Sequence, residues 1–319
     1  MPDWGPSASQ ETLRLRANML ATIRQFFAQR SVLEVDTPML SVASTTDPYL
    51  ESFPVADGAR MLFLQTSPEF AMKRLLAAGS GSIYQLAHAF RREEQGRLHN
   101  REFMLLEWYR TGFGERDLML EVDTLVRQLL APYRRLQPSE SLSYGAAFQR
   151  YLGLDIHTAS ATQLASCAQH LGLSVNALDA PQALWRDLLL THAIEPKLGQ
   201  DRLTFLYDYP AEAAALARIR PGPPEVAARF ELYLDGVELA NGYDEERDAG
   251  VLRSRFESQV TQRRAQGLPA IPIDEYLLAA MTAGLPACSG VAVGVDRLLM
   301  CALQLGTLAE VLAFPAGRC

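Results

Sequence analysis

The stretch Ile83–Arg110 limits what this chain can fold into more than any other part of it. It reads IYQLAHAFRRE, then EQGRLHN, then REFMLLEWYR: two strand-like runs around a polar loop that contains Gly96. Successive side chains of a strand point to opposite faces. Arg91 and Glu93 therefore share a face with the small Ala87 and Ala89, while Leu86 and Phe90 point the other way. In the second run Phe103, Glu107 and Tyr109 fall together, opposite Met104, Leu106 and Trp108. Such a hairpin has one packable side. Its other side offers a guanidinium, two carboxylates, an aromatic ring and a phenol. With a rise of about 3.3 Å per residue, Phe103 to Tyr109 spans roughly 20 Å, the length of a nucleoside triphosphate laid end to end with a small acid. The plainer alternative is a hairpin whose polar face is merely wet, and a phenylalanine set between charges argues against it.

Residues 1–10 are rich in Pro, Gly and Ser and read as a flexible lead, without the basic start and apolar segment of an export signal. Glu11–Arg30 has Leu13, Leu20, Ile23 and Phe27 near helical spacing. Ser31–Leu40 reads as a strand stopped by Pro38. Gln65–Gly79 enters a helix with Ser67 as N-cap, Pro68 in the first turn and Glu69 early, where an acid suits the helix start. A helix is expected over Glu115–Leu136. Residues 140–200 are Ala- and Leu-rich and read as a helical insertion, in which His157, His170 and His192 stand isolated. Leu203–Pro210 reads as a strand returning to the sheet.

A second hairpin spans Arg229–Glu245, with Asp235–Gly236 as a type I′ turn. A two-residue turn pairs Leu234 with Val237, Tyr233 with Glu238 and Glu231 with Ala240, so Glu231 and Glu238 become diagonal neighbours on one side. Leu232, Leu234, Val237 and Leu239 take the other side. Two close carboxylates repel unless a cation lies between them, and oxygen ligands on a rigid frame suit Mg²⁺. An exposed acidic face is the competing reading. Asn241, Gly242 and Glu245 are expected beyond the strand. Cys288–Leu303 reads as a Gly-punctuated strand turning into a helix with Arg297 in its first turn, an arrangement suited to phosphate. Gly290 and Gly294 there would let backbone approach a ligand closely.

The net charge of −7, with no Lys/Arg run, argues against a chain that grips RNA through its phosphates. Cys167, Cys288, Cys301 and Cys319 are scattered without CxxC pairs, which suggests neither a zinc knuckle nor a disulfide framework. No apolar run reaches membrane-spanning length, so a cytoplasmic protein is expected.

FRRE…HNREFMLLEWY resembles motif 2 of the class II aminoacyl-tRNA synthetases, in the lysyl form. Ser31–Leu40 resembles motif 1 and Cys288–Leu303 motif 3, and the resemblance runs from about Thr12 to Phe314. It is similar in particular to the lysyl-tRNA-synthetase-like ligases that attach (R)-β-lysine to translation elongation factor P. The resemblance implies an α+β fold whose mixed, mainly antiparallel sheet is flanked by helices. It implies a catalytic domain over 11–319 with the insertion at about 140–200, and a homodimer formed through motif 1.

For the site, the resemblance implies ATP and Mg²⁺. Arg91 would hold the α-phosphate and the substrate carboxylate. Glu93 and Asn100 would meet the adenine end, with Phe103 stacked under the ring. His99 and Arg297 would serve the γ-phosphate, Arg297 also covering the adenine, and Leu239 and Gly294 would line the nucleotide site. Glu231 and Glu238 would anchor Mg²⁺. Ser67, Glu69, Glu107, Tyr109, Asn241, Glu245 and Ala292 would form the amino-acid pocket, Glu245 meeting the distal amine. Glu69, Glu107 and Glu245 demand a substrate carrying ammonium groups, because burying three carboxylates unpaired is very costly.

Two departures from lysyl-tRNA synthetases stand out. No anticodon-binding β-barrel precedes the catalytic domain, which makes tRNA an unlikely partner and elongation factor P the expected acceptor. Ala292 stands where those enzymes have Gly, and one added methyl at a pocket wall discriminates by about 1–3 kcal/mol. Arg101 replaces a usual Pro without evident consequence. A stand-alone activator that charges tRNA or a metabolite, and a non-catalytic regulatory paralogue, are the competing readings.

Overall fold

The computed structural model describes residues 4–173 and 181–318. In chain order these form α1 (Gln10–Ala28), β1 (Leu33–Glu34), β2 (Leu40–Ser41), β3 (Pro54–Asp57), β4 (Arg60–Leu64), α2 (Glu69–Ala77), β5 (Ile83–Phe90) and β6 (Glu102–Thr111). Then come α3 (Glu115–Leu130), β7 (Gln137–Ser143), α4 (Tyr144–Leu152), α5 (Ala161–His170), α6 (Gln182–Leu189), β8 (Arg202–Pro210), β9 (Ile219–Arg220) and β10 (Val226–Leu234). The chain closes with β11 (Val237–Asp244), α7 (Ala249–Ala265), α8 (Glu275–Gly284), β12 (Cys288–Gly294) and α9 (Val295–Ala302).

The main sheet runs β1-β5-β6-β12-β11-β10-β8-β7, with β9 paired to β10; β2, β4 and β3 make a separate small sheet. Its pairs are antiparallel except β1 with β5 and β7 with β8 at the two edges. This is the expected mixed, mainly antiparallel α+β architecture.

Alternation decides the two faces. Tyr84, Leu106, Trp108, Leu232, Leu234, Val291 and Val293 point to one side, where they pack under α1, α3 and α9. Trp108 and Phe27 meet edge to face at 5.3 Å, and Trp108 Nε1 donates to buried Glu121. The opposite face is covered in part by α2, α7 and α8, which bury Ile83 and Tyr109. The remainder of that face is open and polar.

Local chemistry sets the ends. Ser9 accepts from Thr12 N to cap α1, Gly153 takes a left-handed φ of 69° after α4, and Asp235 and Gly236 adopt φ of 52° and 74° in the type I′ turn.

Several expectations are corrected. The lead is tied down near its inner end: Ser7 N donates to Ala313 O, Ala8 N to Leu312 O, and Ala8 is buried. Ser31–Leu40 holds only the two-residue β1 and the first residue of β2, because Thr37 and Pro38 break the run. Helix α3 stops at Leu130. The insertion is helical over α4, α5 and α6, but residues 140–143 belong to β7, which adds in parallel to the sheet edge. The part of that expectation over 174–180, and the comment on Cys319, fall outside the described residues. His157, His170 and His192 are exposed, as anticipated for histidines without a site.

Candidate active site

The open face of the sheet floors a cavity of about 510 Å³. All the expected site residues line it except Glu93, which is exposed on the turn after β5. Its neighbour Glu94 lies in the cavity instead and accepts from Arg91 Nη1 at 2.9 Å. The reason is that strand alternation ends at Phe90, so period two no longer predicts direction at Glu93. The Arg91 guanidinium stands 5.0 Å from the Phe103 ring centroid.

One end of the cavity is cationic. Arg297 is the third residue of α9. Its Nε donates to Leu98 O at 3.2 Å, its Nη1 to Glu238 O at 3.0 Å, and its Nη2 lies 2.8 Å from His99 Nε2. A guanidinium can only donate, so His99 Nε2 accepts. Burial, and then the charge of Arg297, hold the His99 pKa below its ordinary value, which keeps the ring neutral. Asn100 is buried, but both ends of its amide are engaged: Nδ2 donates to Glu102 O and Oδ1 accepts from Ala316 N. It anchors the loop rather than offering a free amide.

The middle of the cavity carries Glu231 and Glu238. The register departs from the simple hairpin: Tyr233 pairs with Glu238, but Leu232 pairs with Ala240 and Glu231 with Asn241. One extra residue bulges on β11 at Leu239. Without it, Glu238 would share a face with Ala240 and Gly242, opposite Asn241 and Tyr243. The bulge shifts the phase, so Glu238, Asn241, Tyr243 and Glu245 all reach the same cavity. Asn241 and Gly242 therefore lie within the strand, not beyond it.

The cations that two close acids call for are supplied within the chain by Arg229 and Arg297. Glu231 Oε1 accepts from Arg229 Nη2, and its Oε2 accepts from the hydroxyls of Tyr209 and Tyr233, each at 2.5 Å. Glu238 has Arg297 Nη1 at 3.5 Å. Burial first, and Glu231 second, raise the pKa of Glu238. Among the described residues no three His, Cys, Asp or Glu are grouped to hold a metal ion.

The other end is acidic. β6, β12 and β11 set Glu107, Ala292 and Asn241 abreast. Glu107 accepts from Ser67 Oγ at 2.9 Å and from the Tyr109 hydroxyl at 2.7 Å. Ser67 Oγ also accepts from Glu69 N, so it braces the start of α2 and orients Glu107; the N-cap position itself falls to Pro68, not to Ser67 as expected, and has no side-chain cap. Burial, and then Glu69, push Glu107 up to about 7. Burial pushes Glu245 up to about 8, opposed by Lys73 and aided by Glu69. Gly290 does not open the backbone to a ligand, since a Cβ there would lie 2.3 Å from Tyr109 Cε1 and 2.6 Å from Glu245 Oε1. Its missing side chain makes room for those two groups. At Gly294 a Cβ would meet only the Arg297 stem, at ordinary contact distance.

Sequence reasoning missed Lys73, Arg229 and Glu94. Lys73 is wholly buried, 2.5 Å from Glu69 Oε1 and 2.6 Å from Glu245 Oε2. The signal was present: Lys73 follows Glu69 by four residues on a helix, the spacing of an ion pair. Its presence corrects the inference that only a substrate cation could balance the three acids. Arg229 precedes Glu231 by two on one strand face, so alternation would have placed it in the site.

A sheet-floored cleft with arginines at one end and acids at the other is the site of a class II synthetase, and the chain belongs to that family: residues 3–318 match the tRNA synthetases class II (D, K and N). Its curated relatives carry a more particular name, elongation factor P–(R)-β-lysine ligase. That of Edwardsiella ictaluri (strain 93-146) is 50% identical over 329 residues, covering 100% of this chain and 99% of the relative. That of Salmonella paratyphi B (strain ATCC BAA-1250 / SPB7) is 49% identical over 325 residues, covering 99% and 98%. That of Erwinia tasmaniensis (strain DSM 17950 / CFBP 7177 / CIP 109463 / NCPPB 4357 / Et1/99) is 48% identical over 324 residues, with the same coverage. The protein is a ligase of the class II synthetase kind. Among its described residues no helix is long and apolar enough to cross a membrane.

Proposed function

We propose that this ligase activates (R)-β-lysine with ATP and transfers the β-lysyl group to a lysine amine of translation elongation factor P. The observation that carries the reading is the polarity of the cavity. Arg91, Arg297 and His99 stand at one end and Glu69, Glu107 and Glu245 at the other, over a single continuous floor. The names of the relatives, matched over nearly their full length, support the acceptor and the amino acid.

In the first step a carboxylate oxygen of the amino acid attacks the α-phosphorus of ATP, and the bond to pyrophosphate breaks. In the second, the acceptor amine attacks the acyl carbon, AMP leaves, and the amine loses a proton. Neither step needs a protein nucleophile; the protein aligns the reactants and neutralises growing charge. Arg91 is assigned to the α-phosphate and the carboxylate, a role that releases it from Glu94. Arg297, with neutral His99, is assigned to the terminal phosphates, and Phe103 offers its ring to the adenine. Glu94 takes the place first given to Glu93 beside the nucleotide.

Mg²⁺ fits this donor set in part. Glu238 has lone pairs to spare, whereas Glu231, with three donors already on it, keeps about one. Glu238 would be the principal ligand and Glu231 a lesser one, and the ion would offset charge on the phosphates. At the acidic end Glu107 and Glu245 are assigned to the two amines, Tyr109 and Ser67 fix Glu107, and Ala292 limits the room beside it. A homodimer through the β1 region and a cytoplasmic location belong to the same reading.

The test is pyrophosphate exchange with α- and β-lysine, followed by mass spectrometry of elongation factor P incubated with enzyme, ATP and β-lysine. Preference for β-lysine and a β-lysyl mass increment on the factor are expected. A clear preference for α-lysine, or acylation of tRNA but not of the factor, would overturn the proposal.

A further inference from the structure

Lys73 is a charged group with no part in the chemistry just described, and it is placed at the centre of the acidic end. The side chain leaves α2 one turn after Glu69 and ends 2.5 Å from Glu69 Oε1 and 2.6 Å from Glu245 Oε2, with none of it exposed. An ammonium buried this completely loses its hydration, and only close carboxylates can make that tolerable. Burial works against its charge, but Glu245 and Glu69 outweigh it, and Lys73 stays protonated.

The bridge divides the work of Glu245 between its two oxygens. Both oxygens are buried outside any well-formed hydrogen bond; Oε2 faces the Lys73 ammonium at 2.6 Å as an ion pair, while Oε1 has no cation and projects toward the space left by Gly290. An enclosed carboxylate oxygen without a donor is costly, and it is aimed into a cavity proposed to receive an amine. The charge count agrees. Glu69, Glu107 and Glu245 bring three negative charges when ionised and Lys73 one positive, which leaves two to be met.

We infer that Lys73 is a specificity-determining positioning residue: it acts as a built-in counter-ion between Glu69 and Glu245, turns Glu245 Oε1 toward the substrate, and limits the pocket to a substrate with two ammonium groups. This rests on the diamino-acid reading given above. Amino acids with one ammonium leave a negative charge unmet, and those with three exceed the pocket's capacity.

Other groups bear on the same charges. Tyr109 and Glu107 face the pocket from β6, Tyr243 from β11 and Asp274 from the cap of α8, while Cys288 of β12 lies close enough to feel both Glu245 and Lys73. Tyr109 and Tyr243 have pKa values raised by burial and stay neutral, as does the Cys288 thiol, pushed up by burial to about 12. Glu107 and Glu245 are therefore the groups that titrate near neutrality.

The experiment compares the wild-type enzyme with Lys73→Met, which keeps the length and removes the charge, and with the charge-balanced Lys73→Met/Glu69→Gln. Amino-acid-dependent pyrophosphate exchange is followed from pH 6 to 9. For Lys73→Met the KM for β-lysine should rise at least tenfold at pH 7, and the pH at which it falls should move up by one unit or more. The KM for ATP should stay within twofold. The double variant serves if the single one does not fold, and should show a smaller upward shift, because Glu245 still lacks its cation while the opposing charge of Glu69 is also gone. A KM for β-lysine that keeps the wild-type pH profile in whichever variant folds would overturn the inference. So would equal increases in both KM values, which mark a merely structural role. Failure of the wild-type enzyme to use β-lysine would instead sink the underlying substrate assignment.

Discussion

Gly290→Ala tests the packing that holds the amino-acid pocket together. The added methyl would sit 2.3 Å from Tyr109 Cε1, 2.4 Å from Cδ1 and 2.6 Å from Glu245 Oε1, whereas ordinary contact begins at 3.4 Å. Something must therefore move by about 1 Å. The Tyr109 ring cannot give easily: it is 2% exposed and packed with Ile83, Met72 and Leu76, and its hydroxyl is tied to Glu107. Overpacking of this kind costs about 1–3 kcal/mol. For a chain of this length that corresponds to a fall in Tm of about 2–4 °C. Since Glu245 and Tyr109 are the groups displaced, the KM for the amino acid should rise about tenfold or more, with the KM for ATP little changed. Thermal unfolding and pyrophosphate exchange on the same preparation give both numbers. A variant with wild-type Tm and wild-type KM for β-lysine would refute the reasoning, because it would mean that the space at Gly290 is not needed by its neighbours.

Ala292→Gly should move the ratio of α- to β-lysine use toward α-lysine by up to about 1–3 kcal/mol, read as relative kcat/KM in exchange; an unchanged ratio would remove Ala292 from the specificity argument. Arg297→Ala should lower exchange by about 10²–10³-fold, because it also frees His99 and Glu238, and a loss smaller than tenfold would deny it a role at the phosphates. With Glu107 raised to about 7 and Glu245 to about 8, the KM for β-lysine should fall as pH climbs from 6 to 8.5, since the ammonium-binding form is the ionised one. The same shifts fix the sign for stability. A carboxylate whose folded pKa lies above its unfolded value of 4.5 binds more protons in the native state, so the ligand-free protein should lose stability between about pH 4.5 and 8. Denaturation midpoints that rise over that window would contradict these two environments. Chelation of divalent cations should stop exchange, and Glu238→Gln should raise the Mg²⁺ concentration needed to restore it; an unaltered Mg²⁺ dependence would exclude Glu238 as a ligand.

Much of this was legible because alternation is a strict rule inside a strand. Glu107, Tyr109 and Phe103 on one side, and Leu106 and Trp108 on the other, follow from period two alone. The type I′ turn at Asp235–Gly236 follows from the need for positive φ at both positions. The rule fails where the backbone departs from it. The extra residue at Leu239 leaves no mark in the sequence, yet it is what lets Glu238 and Asn241 face the cavity together. Glu93 and Glu94 lie past the end of β5, where nothing local tells them apart. Asn100 is taken up by Ala316, a partner 216 residues away. Lys73 meets Glu69 on its own helix and Arg229 meets Glu231 on its own strand, spacings the sequence offers, whereas the Lys73–Glu245 bridge and the Tyr209 hydroxyl on Glu231 cross elements and show only in the assembled sheet.

The backbone pairing of Ser7 with Ala313 and Ala8 with Leu312 brings these two sequence-distant segments alongside each other. A short linker joining them, with new termini opened in the Leu154–Ser160 turn beyond α4, would give a circular permutant that keeps every strand of the site in place. Affinity handles follow the same geometry. A handle on the original tail pulls on Ala316 and, through its hydrogen bond, on the loop of Asn100 and His99, whereas one placed in the distant turn leaves that loop unloaded.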